Sequence, residues 1–144
     1  MTGIIIAIVS GALMSIQGVF NTGVTRQAGI WTTSAFVHLT ALAVCIAAWF
    51  IGGREGSFSA VFGVDQKYML LGGAIGAFIT YTVIKSMQSL GPARSVMLIV
   101  TAQVLVAYLI ELFGLFGVEK AAFEWKKLIG ILLAIAGIVI FKWE

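Results

Sequence analysis

A few strongly polar side chains stand inside long apolar runs of this sequence, and they are the residues best able to do chemistry. Glu111 is the carboxylate among them, and Gln103 lies eight positions earlier, on the same face of a helix. An ionised carboxylate is costly in apolar surroundings, so Glu111 needs a proton or a cation beside it. We therefore predict that Glu111 binds a proton or a cationic group, with Gln103 in the same cavity. The alternative is that Glu111, which is nearer the end of its run than the middle, reaches lipid headgroups, since Gly114 and Gly117 would suit an irregular helix end.

Gln17 and Asn21 form a second polar pair, one helical turn apart in the first apolar run. Amide side chains in such a run should point inward, away from apolar surroundings. Two interpretations remain open at this point. The pair lines a substrate cavity together with Glu111, or it hydrogen-bonds to neighbouring helices.

Tyr81, Lys85 and His38 are weaker candidates for the same site. Lys85 lies near the end of its apolar run, where a long side chain can reach water, and this explanation is favoured over pairing with Glu111 of a second copy. A lone histidine is weak evidence for a proton relay. His38 is therefore predicted to be an interfacial or hydrogen-bonded residue.

Enzyme chemistry is not predicted. One cysteine and one histidine cannot form a metal-ligand cluster, and no nucleophile–base pair or phosphate loop can be recognised. The longest basic run is Lys126-Lys127, so the net charge of +3 indicates anchoring at lipid headgroups rather than nucleic-acid binding. We expect no catalytic residue, no metal and no cofactor.

The composition is that of a membrane protein, with 60% hydrophobic and 10% charged residues, whereas soluble domains carry about 25% charged residues. The apolar runs are continuous rather than alternating, which indicates helices and not barrel strands. We predict an all-α integral membrane protein in the lipid bilayer, with a single transmembrane domain over residues 1–144. Its five spans are predicted at residues 3–20, 32–51, 68–87, 93–116 and 128–143, and the connection between the first two at residues 21–31. Tryptophan favours membrane interfaces, and all four tryptophans fall at the rims of these spans: Trp31, Trp49, Trp125 and Trp143.

The basic residues hardly favour one orientation in the membrane. With five spans, one side holds five Lys or Arg residues and the other holds four, whereas the positive-inside rule needs an asymmetry. A chain that inserts both ways round could pair with its own inverted copy, and inverted pairs are a common design of transporters. We predict an antiparallel homodimer, a ten-helix assembly with inverted symmetry.

Small residues recur at helical spacing and predict close approach of helix backbones. Whether these contacts lie within one chain or across a dimer is not encoded. The glycines predicted to serve this packing are Gly11, Gly72, Gly76, Gly130 and Gly137.

Several of these motifs together resemble the small YdcZ-like branch of the drug/metabolite transporter superfamily, over essentially the whole chain. They are Gln17-x-x-x-Asn21, His38-Leu39, Gly72-Gly73-x-x-Gly76, Gln103, Glu111-Leu112-Phe113-Gly114-Leu115-Phe116-Gly117 and the closing Gly130…Gly137 helix. The resemblance implies transport of a small molecule, in a bacterial inner membrane. It also implies dual-topology homodimers, oppositely oriented pairs or fused ten-helix chains. Asp is expected more often in the family where this chain has Glu111, which changes the reach of the carboxylate.

These observations lead to one hypothesis and one alternative. The hypothesis is a secondary transporter of a small organic solute that works by alternating access, with Glu111, Gln103, Gln17 and Asn21 lining its central cavity. The alternative is a non-transporting membrane subunit or a passive ion channel.

Overall fold

The computed structural model describes the backbone of residues 1–142 and the side chains of residues 1–141. This part of the chain is helical and contains no strand. Short 3-10 helices cover Lys67–Leu71 and Leu115–Gly117. The α-helices are α1 (Thr2–Ala28), α2 (Ile30–Ile51), α3 (Phe58–Phe62), α4 (Gly72–Leu90), α5 (Pro92–Phe113) and α6 (Trp125–Lys142).

Four helical stretches among the described residues are long and apolar enough to cross a membrane, as expected of a multi-pass membrane protein: Thr2–Ala28, Ile30–Ile51, Lys67–Leu90 and Pro92–Phe113. The predicted fifth span falls on α6, which carries lysines at both ends. Its uncharged part, residues 128–141, has a length of about 21 Å as a helix, less than the roughly 30 Å of a bilayer core. A fifth span therefore stays a prediction, and its predicted end at Trp143 lies outside the described residues.

The first predicted boundary is wrong, because α1 continues eight residues past position 20 to Ala28. The polar residues that suggested a connection at 21–31 are accommodated inside the helix. The hydroxyls of Thr22 and Thr25 donate hydrogen bonds to the backbone carbonyls of Gly18 and Asn21, at 2.8 and 2.7 Å. Such back-bonding satisfies a threonine hydroxyl without breaking the helix.

The fourth predicted span also ends earlier than expected, at Phe113 rather than at residue 116. Gly114 adopts left-handed dihedral angles (φ 64°, ψ 39°), and its N–H bonds back to the end of α5. A glycine in this conformation is a common helix terminator. Gly114 therefore ends α5 inside the apolar run that predicts the fourth span.

Single glycines join two pairs of consecutive helices. Gly29 lies between α1 and α2 with φ 81° and ψ 159°, and Gly91 lies between α4 and α5 with φ 79° and ψ 164°. This region of backbone space is open essentially to glycine alone. Pro92 follows Gly91 as the first residue of α5, a position that suits its fixed φ.

Substitution of Gly29 with alanine should destabilise the protein by roughly 1–2 kcal/mol, because a Cβ is strained at this φ and ψ. A Cβ at this position would meet no atom within 4 Å, so the cost comes from the backbone alone. Thermal unfolding in detergent measures the effect. Alanine at Gly23, which lies inside α1 with open space around it, is the matched control and should be neutral or slightly stabilising. Equal stability of the two variants would contradict the prediction.

The described chain forms two compact units, one of residues 1–89 and one that begins at Leu90. In the first unit α1 and α2 pack against each other, and in the second α5 and α6 do so. α5 and α6 form a hairpin whose connection covers residues 114–124. The prediction of a single domain stays a prediction.

Candidate functional site

Glu111 lies in the last turn of α5, two residues before the helix ends at Phe113. Its backbone carbonyl accepts hydrogen bonds from the N–H groups of Gly114 and Ala121, at 3.3 and 2.9 Å. The second of these bonds folds the 114–124 connection back onto the end of α5. The carboxylate therefore extends from a helix end that these backbone hydrogen bonds hold in place. The Glu111 side chain is 48% exposed.

Lys127, in the first turn of α6, is the cationic partner of Glu111. Its Nζ lies 3.6 Å from Oε2 of Glu111 and 3.5 Å from Oε1 of Glu124. The same ammonium lies 5.7 Å from the centre of the Tyr108 ring, within the range of a cation–π contact. One lysine thus joins two carboxylates and an aromatic face.

Tyr108 supports this arrangement from one helical turn below Glu111. The side chain is buried, and its hydroxyl oxygen accepts a hydrogen bond at 3.2 Å from the backbone N–H of Glu124. This bond positions the residue from which the Glu124 carboxylate extends. Tyr108 therefore places Glu124 and contacts Lys127 at the same time.

An open groove of about 350 Å³ extends from this ion pair along α5 and α6. Its floor is mostly apolar, and Gly130 contributes no side chain to it. Gln103 is exposed one turn beyond Ala107 on the same face of α5, and it does not line the groove. The lining residues are Val104, Ala107, Tyr108, Glu111, Lys127, Gly130 and Ile131.

The sequence interpretation missed Lys127 and Tyr108 as members of this site. Lys127 was assigned to the 117–127 connection, as a headgroup anchor. A signal was available, because residues at equal distances from the connection of a helical hairpin face each other. Glu111 lies two residues before the end of α5 and Lys127 two residues after the start of α6, so the hairpin brings them together.

The weaker candidates Tyr81 and His38 lie in the first unit, where α2 and α4 are neighbours. The rings of Trp31 and Tyr81 stack with centroids 4.8 Å apart and planes 23° from parallel. His38 is half-buried, and its Nδ1 lies 2.8 Å from the backbone oxygen of Ser34, a distance at which an Nδ1–H donates a hydrogen bond. A Cβ at Gly76 would lie 3.4 Å from Nε2 of the same histidine. His38 is thus a hydrogen-bonded residue that packs against α4.

The other candidates of the first unit differ in their surroundings. Asn21 is buried, whereas Gln17 is exposed one turn away on α1. Lys85 is exposed on α4. A cavity wall formed by Gln17 and Asn21 together stays a prediction.

The predicted packing glycines divide into two groups. Gly76 faces His38, whereas a Cβ at the other four predicted positions would meet nothing within 4 Å. The closest approach in the first unit is at Gly18, where a Cβ would lie 2.5 Å from Cε of Met87 on α4. Close packing at the remaining four stays a prediction: Gly11, Gly72, Gly130 and Gly137.

Comparison with known proteins gives one match. The family model DMT_YdcZ, described as "Putative inner membrane exporter, YdcZ", matches residues 2–140. No curated protein and no solved structure shows a significant match. The family is one of transporters rather than enzymes, and the long apolar helices agree with a multi-pass protein of the inner membrane. The chain belongs to the DMT_YdcZ family.

Proposed function

We propose that this protein is a secondary transporter that exports a small organic solute by alternating access, as an antiparallel homodimer. The observation that carries the proposal is the Glu111–Lys127 ion pair at the end of an apolar groove. The pair lies at one end of an open groove of about 350 Å³, which is large enough for a small solute.

The exposure of the pair makes it exchangeable. In the single chain the Glu111 and Lys127 side chains are 48% and 39% exposed, and ion pairs that are exposed to water contribute about 0–1 kcal/mol. A proton or a solute cation can therefore compete with Lys127 for Glu111. Competition of two ligands for one carboxylate is a simple way to couple proton entry to solute exit.

A second copy of the chain would close the groove, which one chain leaves open. The groove between α5 and α6 is open on one side, and four of the predicted packing glycines have open space at the Cβ position. The near balance of basic residues permits both orientations. We infer that α6 completes five spans per chain, and that two inverted chains enclose a common pathway of ten helices.

Dual topology predicts half-labelling at any exposed position. Single cysteines at Asp65 and at Gln27, in a Cys45→Ala background, lie beyond opposite ends of α2, and both positions are exposed. Because α2 is a single span, its two ends must face opposite sides of the membrane, whatever the status of α6. We expect an impermeant thiol reagent to label about half of each cysteine in intact cells, and all of both after permeabilisation.

A different labelling pattern would contradict dual topology. Full labelling at one position and none at the other in intact cells would mean a single orientation. The antiparallel homodimer would then be abandoned in favour of an oppositely oriented partner protein or a fixed-topology subunit.

A further inference from the structure

We infer that the ligand of the groove is a small primary ammonium compound with a short apolar tail, and that Lys127 is its built-in competitor. The inference rests on the proposed function and names the chemical class of the solute. It concerns the head-group site formed by Glu111 and Tyr108, and the groove beyond it.

The head-group site already holds an ammonium group. Lys127 Nζ lies near two carboxylate oxygens and the face of a buried tyrosine ring. The Nζ–oxygen distances of 3.6 and 3.5 Å are longer than the roughly 2.7–2.9 Å of a charge-assisted hydrogen bond. In this arrangement the lysine ammonium does not make the closest contact that either carboxylate allows. A free primary ammonium can approach Glu111 more closely.

The groove beyond the head-group site suits an apolar tail. Val104, Ala107 and Ile131 line it, and Gly130 leaves its floor without a side chain. A Cβ at Gly130 would meet no atom within 4 Å, so the space is free in this chain. A ligand with a cationic head and a short apolar body therefore matches the groove in charge and in polarity.

Lys127 can move away from Glu111 at a moderate cost in free energy because it also pairs with Glu124. Glu124 lies three residues before it on the same turn and is bonded through its backbone carbonyl to the N–H of Lys127. When a ligand takes Glu111, the lysine keeps Glu124 and its charge stays paired. The flexible lysine stem permits this movement.

Binding of n-pentylammonium to the protein in lipid nanodiscs tests the inference, with empty nanodiscs subtracted. Isothermal titration should show saturable binding of n-pentylammonium, and none of 1-pentanol or pentanoate. Glu111→Gln should weaken binding by roughly tenfold or more, because a charge-assisted contact is lost. Lys127→Met should strengthen binding, by up to about fivefold, because the competing cation is gone. Opposite effects from the two partners of one ion pair are the signature of competition.

The tail is tested separately from the head group. Gly130→Leu should fill the groove and reduce n-pentylammonium binding by about tenfold or more, while ammonium ion itself should lose little. Ala136→Leu is the matched control, since it adds bulk at an exposed position of α6 outside the groove. Unfolding in detergent shows whether each variant is folded, and Glu111→Ala, which also removes the carboxylate, replaces Glu111→Gln if the latter is not.

Two results would overturn the inference. One is the absence of saturable n-pentylammonium binding to the unaltered protein. The other is weaker binding in Lys127→Met, which would make the lysine a supporting residue and not a competitor. If proteoliposomes then exchange a neutral or anionic solute, the proposed transporter function is retained and only the ammonium class of solute is rejected. Absence of exchange for every solute class would remove the proposed function as well.

Discussion

Replacing Glu111 with glutamine should lower the rate of solute exchange by on the order of tenfold or more, because the neutral amide binds a cation more weakly and cannot exchange a proton. The carboxylate lies at the end of the groove, with Lys127 Nζ 3.6 Å away, and in the proposed mechanism a proton or a solute cation displaces the lysine. The measurement is counterflow in proteoliposomes loaded with unlabelled solute, across a panel of labelled amines, amino acids and sugars. Folding should be retained, since the ion pair that is lost is exposed and contributes little.

Glu119→Gln is the matched control for this change. Glu119 is an exposed carboxylate in the connection that follows α5, and its loss removes the same charge without touching the groove. Exchange at the unaltered rate in a folded Glu111→Gln variant would reject the coupling role. Linear, unsaturable flux through the unaltered protein, without exchange, would replace the transporter with a passive channel.

Substitution of Gly18 with leucine should destabilise the first unit, by an amount at the upper end of roughly 1–3 kcal/mol. A Cβ at Gly18 would already lie 2.5 Å from Cε and 2.9 Å from Sδ of Met87, and 3.3 Å from Cγ1 of Val83. The flexible end of Met87 could yield to a methyl group, but Met87 is buried and has little room for a whole leucine side chain. We expect α1 and α4 to separate, with a lower unfolding temperature in detergent.

Gly11→Leu is the control on the same helix. Gly11 lies seven residues before Gly18, on the same face of α1, and a Cβ there would meet nothing within 4 Å. The unfolding temperature should stay unchanged. Equal losses of stability in both variants would show that the clash at Gly18 is not what limits packing. A Gly11→Leu variant that is stable but runs as a monomer in size-exclusion chromatography would place Gly11 at the dimer contact.

Much of the fold was predictable because lipid is a simple solvent. A chain with so few charged residues must form long apolar helices, and the four spanning candidates follow the predicted runs. The boundaries were less predictable, since local hydrogen bonds decide them. Thr22 and Thr25 are accommodated inside α1 past its predicted end by hydrogen bonds from their hydroxyls, and Gly114 stops α5 before its predicted end.

Of the ion pair at the candidate site, the sequence indicated Glu111 but not Lys127. The cost of a carboxylate in an apolar run identified Glu111 from sequence alone, as it required a cation or a proton nearby. The identity of that cation depends on how two helices meet, which no single run encodes. Lys127 resembled any other lysine at a membrane surface, and only the hairpin of α5 and α6 makes it the partner of Glu111.

The single-glycine connections at Gly29 and Gly91 limit the surface that soluble proteins could bind. If the four candidate spans cross the membrane in turn, the connections at Gly29 and Gly91 face one side, which then offers soluble proteins almost no loop to bind. The longer connections, residues 52–66 and 114–124, would then face the other side. A chain fixed in one orientation would be visible to soluble partners from one compartment only. In an inverted pair, each side of the membrane would expose the long connections of one chain and the single-glycine connections of the other. The two faces of the assembly would then be equivalent.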